Sequence, residues 1–326
     1  MSKNNSPQEP SYSPPTTGIL SYLSAGWIPY AELTRIDRPF PILMFYFPFL
    51  WGSLIAGIMA EPVVPPLKMA FVNALLLINT TLVRGLGCTW NDILDSDVDV
   101  KVARTRLRPV ARGAISHRQA LIFTAFQLIL ELGFIQLLPR KFTYYSIAWL
   151  VLVAIYPLAK RVTVYTQVAL GFTVAWGVLM GFPALDIDLL TSSERMLAAG
   201  SLAASNIIWT IGSDLIYAHQ DIQDDRKSGI NSMAVRHEEK SKAILAGLGM
   251  MQILLLTLMG LMVKAGEVYY LGTCGCTLIA LWATFGTVNL RDAQDCAKSF
   301  KRGAWLTSGA VTTGILAEYM TRSHTF

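Results

Sequence analysis

Two short stretches gather most of the closely spaced carboxylates of this chain. The first is Asn91-Asp92-Ile93-Leu94-Asp95-Ser96-Asp97-Val98-Asp99. The second is Asp221-Ile222-Gln223-Asp224-Asp225, with Asp214 upstream. On a helix, Asp92, Asp95 and Asp99 are spaced i, i+3, i+7 and share one face, from which Asp97 points away. Asp221 and Asp225 are spaced i, i+4, with Asp224 at their flank. Carboxylates this close repel one another unless cations hold them. Magnesium suits such a set: it takes one or two carboxylates, keeps waters and completes its shell with phosphate oxygens. Two such stations facing each other would grip one diphosphate from both sides. Solvated loop charge or helix capping is the better reading for Asp97. For Asp92, Asp95, Asp99, Asp221 and Asp225 the metal reading is the stronger.

A bound diphosphate also needs cations from the protein. Arg84 lies inside an apolar run, where an arginine requires a partner. Lys101, Arg104 and Arg108 follow the first acidic segment, Lys160 and Arg161 occupy a later loop, and Lys227 follows the second segment. Such side chains pair with phosphate oxygens and stabilise a leaving group. For Lys101, Arg106, Arg112 and Arg118, membrane topology accounts for the charge equally well. Tyr156 and Tyr217 lie beside these loops and could steady an allylic carbocation. Phe40, Phe45, Tyr46, Phe47, Phe49, Trp51, Phe172, Trp176 and Trp209 read instead as packing or interface aromatics.

The elements that must position these groups are membrane helices. The chain has 326 residues, 53% hydrophobic and 15% charged, with a mean hydropathy of +0.43. That excludes an ordinary soluble domain and fits a polytopic membrane protein. Runs long enough to cross a bilayer fall near 40–60, 68–90, 119–138, 142–159, 164–185, 196–218, 242–264, 268–290 and 303–320. The expected fold is therefore all-α, with nine transmembrane helices. An amphipathic stretch over 27–38 precedes them and is expected to lie in the interface. With nine spans, twenty Lys and Arg fall on the side of the N-terminus and six on the other. That bias places the N-terminus and both acidic segments in the cytosol. An apolar helix running into an Asp-rich loop occurs twice, four helices apart, which suggests two pseudo-repeated four-helix halves plus one helix.

Other features narrow the function. The net charge of +5 sits beside the apolar helices, and nothing points to nucleic acid. Cys88, Cys274, Cys276 and Cys296 show no zinc spacing and read as reduced, packing residues. Residues 1–26 form a tail with a polar, Pro-, Ser- and Thr-rich start that is expected to be disordered. That start has no apolar core of a secretory signal and too few basic residues for a good mitochondrial presequence. The first spanning helix is then the expected targeting signal.

The residues resemble the UbiA-type intramembrane prenyltransferases. The first segment, preceded by Arg84-Gly85-Leu86-Gly87-Cys88-Thr89-Trp90, matches that family's N-D-x-x-D-x-x-x-D motif. The second, from Asp214 and Tyr217 through Asp225 to Lys227, Gly229 and Ser232, looks like its second Asp motif. Arg35-Ile36-Asp37-Arg38-Pro39, Tyr156-Pro157-Leu158-Ala159-Lys160-Arg161 and Gln167 with Leu170-Gly171 also fit. The resemblance covers roughly residues 30 to 320. It implies a lipid-open central cavity and magnesium-dependent transfer of an isoprenyl group from its diphosphate to an acceptor, often an aromatic ring. Carried over by position, Asn91, Asp92, Asp95 and Asp99 form one magnesium station. Asp221 and Asp225 form the other, with Asp224 in support. Arg84, Lys160, Arg161 and Lys227 meet the diphosphate.

Within that family the chain is most similar to fungal meroterpenoid aromatic prenyltransferases and to eukaryotic 4-hydroxybenzoate polyprenyltransferases. The usual Arg-Thr-Ala-Asn-Arg-Pro stretch reads Arg104-Thr105-Arg106-Leu107-Arg108-Pro109, and this departure favours the former. The expectation is an integral enzyme of the endoplasmic reticulum or another endomembrane, with its site facing the cytosol. It would carry farnesyl from farnesyl diphosphate to a phenolic polyketide acceptor. The rivals are mitochondrial 4-hydroxybenzoate polyprenyl transfer, a terpene cyclase on the same fold, and a cation-coupled transporter. A transporter would place its charges near mid-span, whereas these lie at helix ends.

Overall fold

The computed structural model describes residues 12–100, 105–227, 229 and 231–323; the side chains of residues 160 and 161 are outside that set. The described chain is helical, in the order α1 (Ile28–Thr34), α2 (Pro39–Ile58), α3 (Pro66–Leu94), α4 (Ser96–Asp99), α5 (His117–Phe134), α6 (Arg140–Ile155), α7 (Thr166–Ala184), α8 (Ser193–Ala218), α9 (Ile222–Lys227), α10 (Met233–Arg236), α11 (Ser241–Met262), α12 (Glu267–Tyr269), α13 (Cys276–Leu281) and α14 (Ala293–Ser323). Two π-wound turns, Tyr270–Gly275 and Trp282–Gly286, join and extend α12 and α13 into one helical run.

Local chemistry sets several boundaries. Pro39 and Pro66 open α2 and α3, where a missing N–H costs nothing. The Ser192 and Ser232 hydroxyls accept from the amides of Arg195 and Val235, capping α8 and α10. Pro48 and Pro183 lie inside α2 and α7.

Eight segments among the described residues are long and apolar enough to cross a membrane, from Ile28–Ile58 to Glu267–Gly286. The chain is an integral membrane protein on that ground. The stretch over 27–38 expected at the interface holds α1, a short helix separated from α2 by left-handed Arg35, and the first of these segments runs through both. The ninth expected span falls in α14, which is long enough but not among the eight. Its core-facing residues include Ser299, Gly303, Ala304, Thr307, Ser308 and Gly314, small and hydroxylated side chains that suit helix contact and lower its apolarity.

Contacts divide the chain into two compact units: Met1–Pro39 with Leu82–Leu130, and Phe40–Thr81 with Glu131–Phe326. The division does not follow the two four-helix halves that the sequence suggests. In the first unit Leu33, Val110, Ile115 and Ala120 form a buried cluster joined by Tyr30, Ile93 and Phe123. Residues of the expected tail pack here as well. Leu20 is buried in a 3-10 turn, Tyr12 donates to Glu32 (2.9 Å), and Arg112 lies over the Tyr12 ring (3.7 Å) while pairing with Glu32 (2.6 Å).

In the second unit the helices meet through glycines. A Cβ at Gly52 would stand 2.1 Å from the Val178 carbonyl oxygen, and one at Gly181 would stand 2.2 Å from the Ser53 amide, so α2 and α7 cross in backbone contact. Gly314 and Gly272 do the same between α14 and the first π turn. Indole N–H groups tie further pairs: Trp51 to Thr312 (2.8 Å), Trp149 to the Thr173 carbonyl (2.9 Å) and Trp176 to the Tyr145 carbonyl (3.0 Å). Inside a bilayer such donors have no water to turn to.

The close crossing gives a direct test. Gly181→Leu must push two backbones apart and should cost about 3 kcal/mol or more, the upper range for an overpacked core. Gly247→Leu, where an added Cβ meets nothing within 4 Å, should be near neutral. Thermal unfolding in detergent checks this; equal midpoints would contradict the crossing.

Candidate active site

The first acidic segment runs through a bend between two helices rather than along one unbroken helix. α3 ends at Leu94, Asp95 adopts φ −95° and ψ 0°, and α4 starts at Ser96. The bend has a local cause. Ser96 Oγ bonds the Ile93 carbonyl (3.1 Å) and Asn91 Nδ2 donates to Asp95 Oδ2 (3.1 Å), so short polar side chains engage groups that a straight helix would order differently. Backbone bonds from Asp95 N to Asn91 O (2.9 Å) and from Asp99 N to Asp95 O (2.8 Å) still carry the chain through. Asp97 is exposed, as its helical phase suggests.

Asp92 is only 2% exposed, and its charge is matched by two arginines. Arg35 Nη2 donates to both of its oxygens at 2.8 Å each. Arg108 Nη1 stands 3.3 Å from Asp92 Oδ1 and 2.7 Å from Asp99 Oδ2, so one guanidinium bridges two acids of the motif. Thr105 Oγ1 donates to the Asp99 carbonyl (3.1 Å), fixing the segment that delivers Arg108. Arg35 has a left-handed backbone, φ 55° and ψ 31°, held by its own guanidinium on the Glu32 carbonyl (2.6 Å). Arg84, the arginine within a span, finds its partner in the Arg35 carbonyl (3.2 Å) rather than in an acid. Arg104 and Lys101 lie outside the described residues.

The second acidic segment belongs to the other unit. Asp225 N bonds Asp221 O at 2.8 Å, which sets the two acids one helical turn apart at the start of α9. Asp221 and Asp225 are half-buried, whereas Asp224 is exposed and pairs loosely with exposed Lys227 (3.7 Å), a contact of little energetic weight. Burial pushes the Asp225 carboxyl up from its usual range; a hydrogen bond with Ser232 opposes this, and the charges of Asp221 and Asp224 add to it. Upstream on α8, Asp214 is half-buried, and the Tyr217 ring lies 5.0 Å from that of Phe300. His219 is buried with Nδ1 on the Leu215 carbonyl (2.8 Å). Tyr156 is half-buried and opens the 3-10 turn Tyr156–Arg161; the side chains of Lys160 and Arg161 lie outside the described set.

Arg35 gains a weight that spacing did not give it. Arg35 stands 57 residues from Asp92, and no periodicity links them. The signal available was energetic: a carboxylate buried at the end of a span demands cations, and the Arg35-Ile36-Asp37-Arg38-Pro39 stretch supplies them beside a helix end.

The donor set fits a hard cation. The motif side chains offer carboxylate and amide oxygens, which suit magnesium. Among the described residues no group of three or more His, Cys, Asp or Glu is gathered closely enough to cage an ion. Magnesium does not need such a cage, because it takes few carboxylates and draws its remaining ligands from water and phosphate.

Comparison with known proteins agrees with this chemistry. The profile of the UbiA prenyltransferase family matches residues 45–309. The chain is 37% identical to the prenyltransferase ascA of Acremonium egyptiacum, over 87% of this chain and 82% of that protein. It is 35% identical to the mitochondrial 4-hydroxybenzoate polyprenyltransferase of Schizosaccharomyces pombe, over 94% and 85%. Among solved structures, the apo UbiA homologue of Aeropyrum pernix K1 aligns with a TM-score of 0.65 at 22% identity, covering 85% of this chain and 96% of that one. The UbiA homologue of Archaeoglobus fulgidus bound to GPP and Mg2+ aligns with a TM-score of 0.59 at 18% identity, covering 86% and 99%.

Two outcomes test the geometry. Arg35→Gln leaves the buried Asp92 carboxylate half-compensated and should cost about 3–5 kcal/mol, the penalty for breaking a buried pair from one side. Asp92→Asn added to Arg35→Gln should recover part of that loss in a thermal melt; no recovery would contradict the pairing. For the second segment, a raised Asp225 pKa means that protons compete with cations at higher pH than at an ordinary carboxylate. Mn2+ binding should therefore weaken as pH falls through that pKa. A Mn2+ titration by electron paramagnetic resonance at a series of pH values checks this; affinity that does not fall as the pH is lowered would refute it.

Proposed function

The chain belongs to the UbiA prenyltransferase family, and on that premise we propose that it transfers an isoprenyl group, farnesyl, from its diphosphate to a phenolic polyketide acceptor. The observation that carries the transferase reading is the coincidence of the family match with two intact acidic segments. Asn91, Asp92, Asp95 and Asp99 form one magnesium station, and Asp221, Asp224 and Asp225 form the second. Bound magnesium supplies the positive charge that lets the diphosphate depart.

The protein's own residues do the rest. Arg84, Arg104, Lys160, Arg161 and Lys227 are the diphosphate cations, and Arg108 joins them from its place between Asp92 and Asp99. Charge-assisted bonds of this kind grow stronger as the leaving group gains charge. The bond between C1 of the isoprenyl group and the diphosphate oxygen breaks, C1 bonds to a ring carbon, and the ring proton leaves to restore aromaticity. Tyr156 and Tyr217 offer ring faces to the allylic cation. Asp214, upstream on α8, is a substrate-binding residue beside the second station.

The acceptor reading rests on one departure in sequence: Arg106-Leu107 stands where 4-hydroxybenzoate enzymes of the family usually carry Ala-Asn. We place the enzyme in an endomembrane with the acidic segments on the cytosolic side; the basic-residue bias supports the sidedness. A second reading, 4-hydroxybenzoate polyprenyl transfer in the mitochondrial inner membrane, is favoured by the relatives of that name, which match at nearly equal identity.

Microsomes containing the chain, incubated with C10 to C20 diphosphates and a panel of phenolic acids, should yield a farnesylated phenolic polyketide in mass analysis. Transfer confined to 4-hydroxybenzoate would select the second reading. Asp95→Asn and Asp221→Asn should each lower turnover by about 10²–10³, the loss seen when one stabilising group of a transition state is removed. Full activity in both variants would refute the metal stations.

A further inference from the structure

Away from the acidic segments, a groove of about 590 Å³ runs between α11 and the helical segment 267–286. Buried Leu245, Leu281 and Phe285 form its floor. Met250, Leu254, Leu278 and Trp282 form an exposed rim, with Trp282 at 70%. Small residues, Ala246 and Gly249, keep it open. From Lys242 to Leu254 it follows about 18 Å of helix.

Lys242 stands at one end. Its Nζ donates to the carbonyls of Phe285 (3.1 Å) and Gly286 (3.0 Å). Both carbonyls belong to the second π-wound turn, a distortion that often marks functional sites. Arg302 grips the same turn through the Ala283 carbonyl (2.6 Å) and Thr287 Oγ1 (3.2 Å). Cations capping a helix C-terminus account for part of this arrangement. They do not account for the placement of that charge at the mouth of an apolar groove. The lining contains no acidic residue. Asp295, on α14, accepts from the Asn289 backbone N–H (2.7 Å), and its charge also acts on the Lys242 ammonium from outside the lining.

We propose that this groove binds one anionic glycerophospholipid, with an acyl chain along α11 and the phosphate on Lys242. An isoprenyl diphosphate shares the outline of apolar tail and phosphate. The groove nevertheless offers a single ammonium and no carboxylate pair. That matches the one negative charge of a phosphodiester rather than a diphosphate that needs metal. The exposed indole of Trp282 suits the membrane interface, where headgroup phosphates lie. Basic pockets between membrane helices recognise anionic headgroups through the same chemistry.

The test uses the full chain in nanodiscs whose lipids carry brominated acyl chains, which quench nearby tryptophan. The Trp282 signal is the difference between the wild type and Trp282→Phe. At equal mole fraction, brominated phosphatidylglycerol should outcompete brominated phosphatidylcholine about fivefold at Trp282, the preference one lysine supplies near anionic lipid. Lys242→Gln should bring the two to parity, and Lys242→Arg should keep the preference. Gly249→Leu should reduce quenching by both, since an added Cβ there meets Leu281 at an ordinary 3.7 Å and the rest of the side chain fills the groove. Equal quenching by both lipids in the wild type would mean ordinary annular contact and would overturn the proposal. Displacement of the brominated anionic lipid by farnesyl diphosphate would overturn it too, by reassigning the groove to isoprenyl chains.

Discussion

A carboxylate at the end of a membrane span is unstable alone, and the first unit is arranged around that fact. Asp92 is buried, and desolvating its charge would cost several kcal/mol without compensation. Arg35 and Arg108 provide the compensation, and each is fixed by further contacts. Arg35 takes a left-handed backbone to reach Asp92, and its carbonyl then serves Arg84. Arg108 spans Asp92 and Asp99, so the segment after α4 is tied back to the end of α3. The same ion pairs that make the acids tolerable also hold them in place. Under the proposed function the same acids that pair with Arg35 and Arg108 also serve the chemistry, so a change in Arg35 is expected to reach both stability and turnover.

The second unit meets a different demand. Its helices have no solvent contrast to drive them together once they lie in lipid, so contact depends on close packing and on internal polar matches. Gly52, Gly181, Gly272 and Gly314 let backbones touch, and Trp51, Trp149 and Trp176 find acceptors on neighbouring helices. α8 is central to this arrangement because it carries Asp214 and Tyr217 at its end and leads directly into Asp221 and Asp225. Rigid packing along α8 therefore sets where the second group of acids begins.

Much of this was legible from residue order. Apolar runs located the helices, because the bilayer imposes their length; α2, α7 and α8 fall within a few residues of the expected spans. Helix phase separated exposed Asp97 from buried Asp92 and Asp99. The acidic motifs and their flanking residues were specific enough to indicate the family. What was not legible depends on three dimensions. The bend at Asp95 arises from competition between short polar side chains and the helix ladder, which periodicity ignores. The Arg35–Asp92 pair joins residues with no local relation. α14 stands outside the eight apolar segments because small and hydroxylated residues on its packed side lower its apolarity. The two contact-defined units cut across α3 and α5, so repeated motifs were no guide to which segments pack together.

The aspartates of the proposed stations hold magnesium jointly with a diphosphate rather than by themselves. Calorimetric titration of magnesium into the purified protein, with and without a non-hydrolysable farnesyl diphosphate analogue, tests it most directly. The account predicts weak binding alone and a large gain when the analogue is present, with the gain lost in Asp221→Asn, because no three-acid cage exists among the described residues. Equally tight magnesium binding with and without the analogue, unaffected by Asp221→Asn, would contradict it.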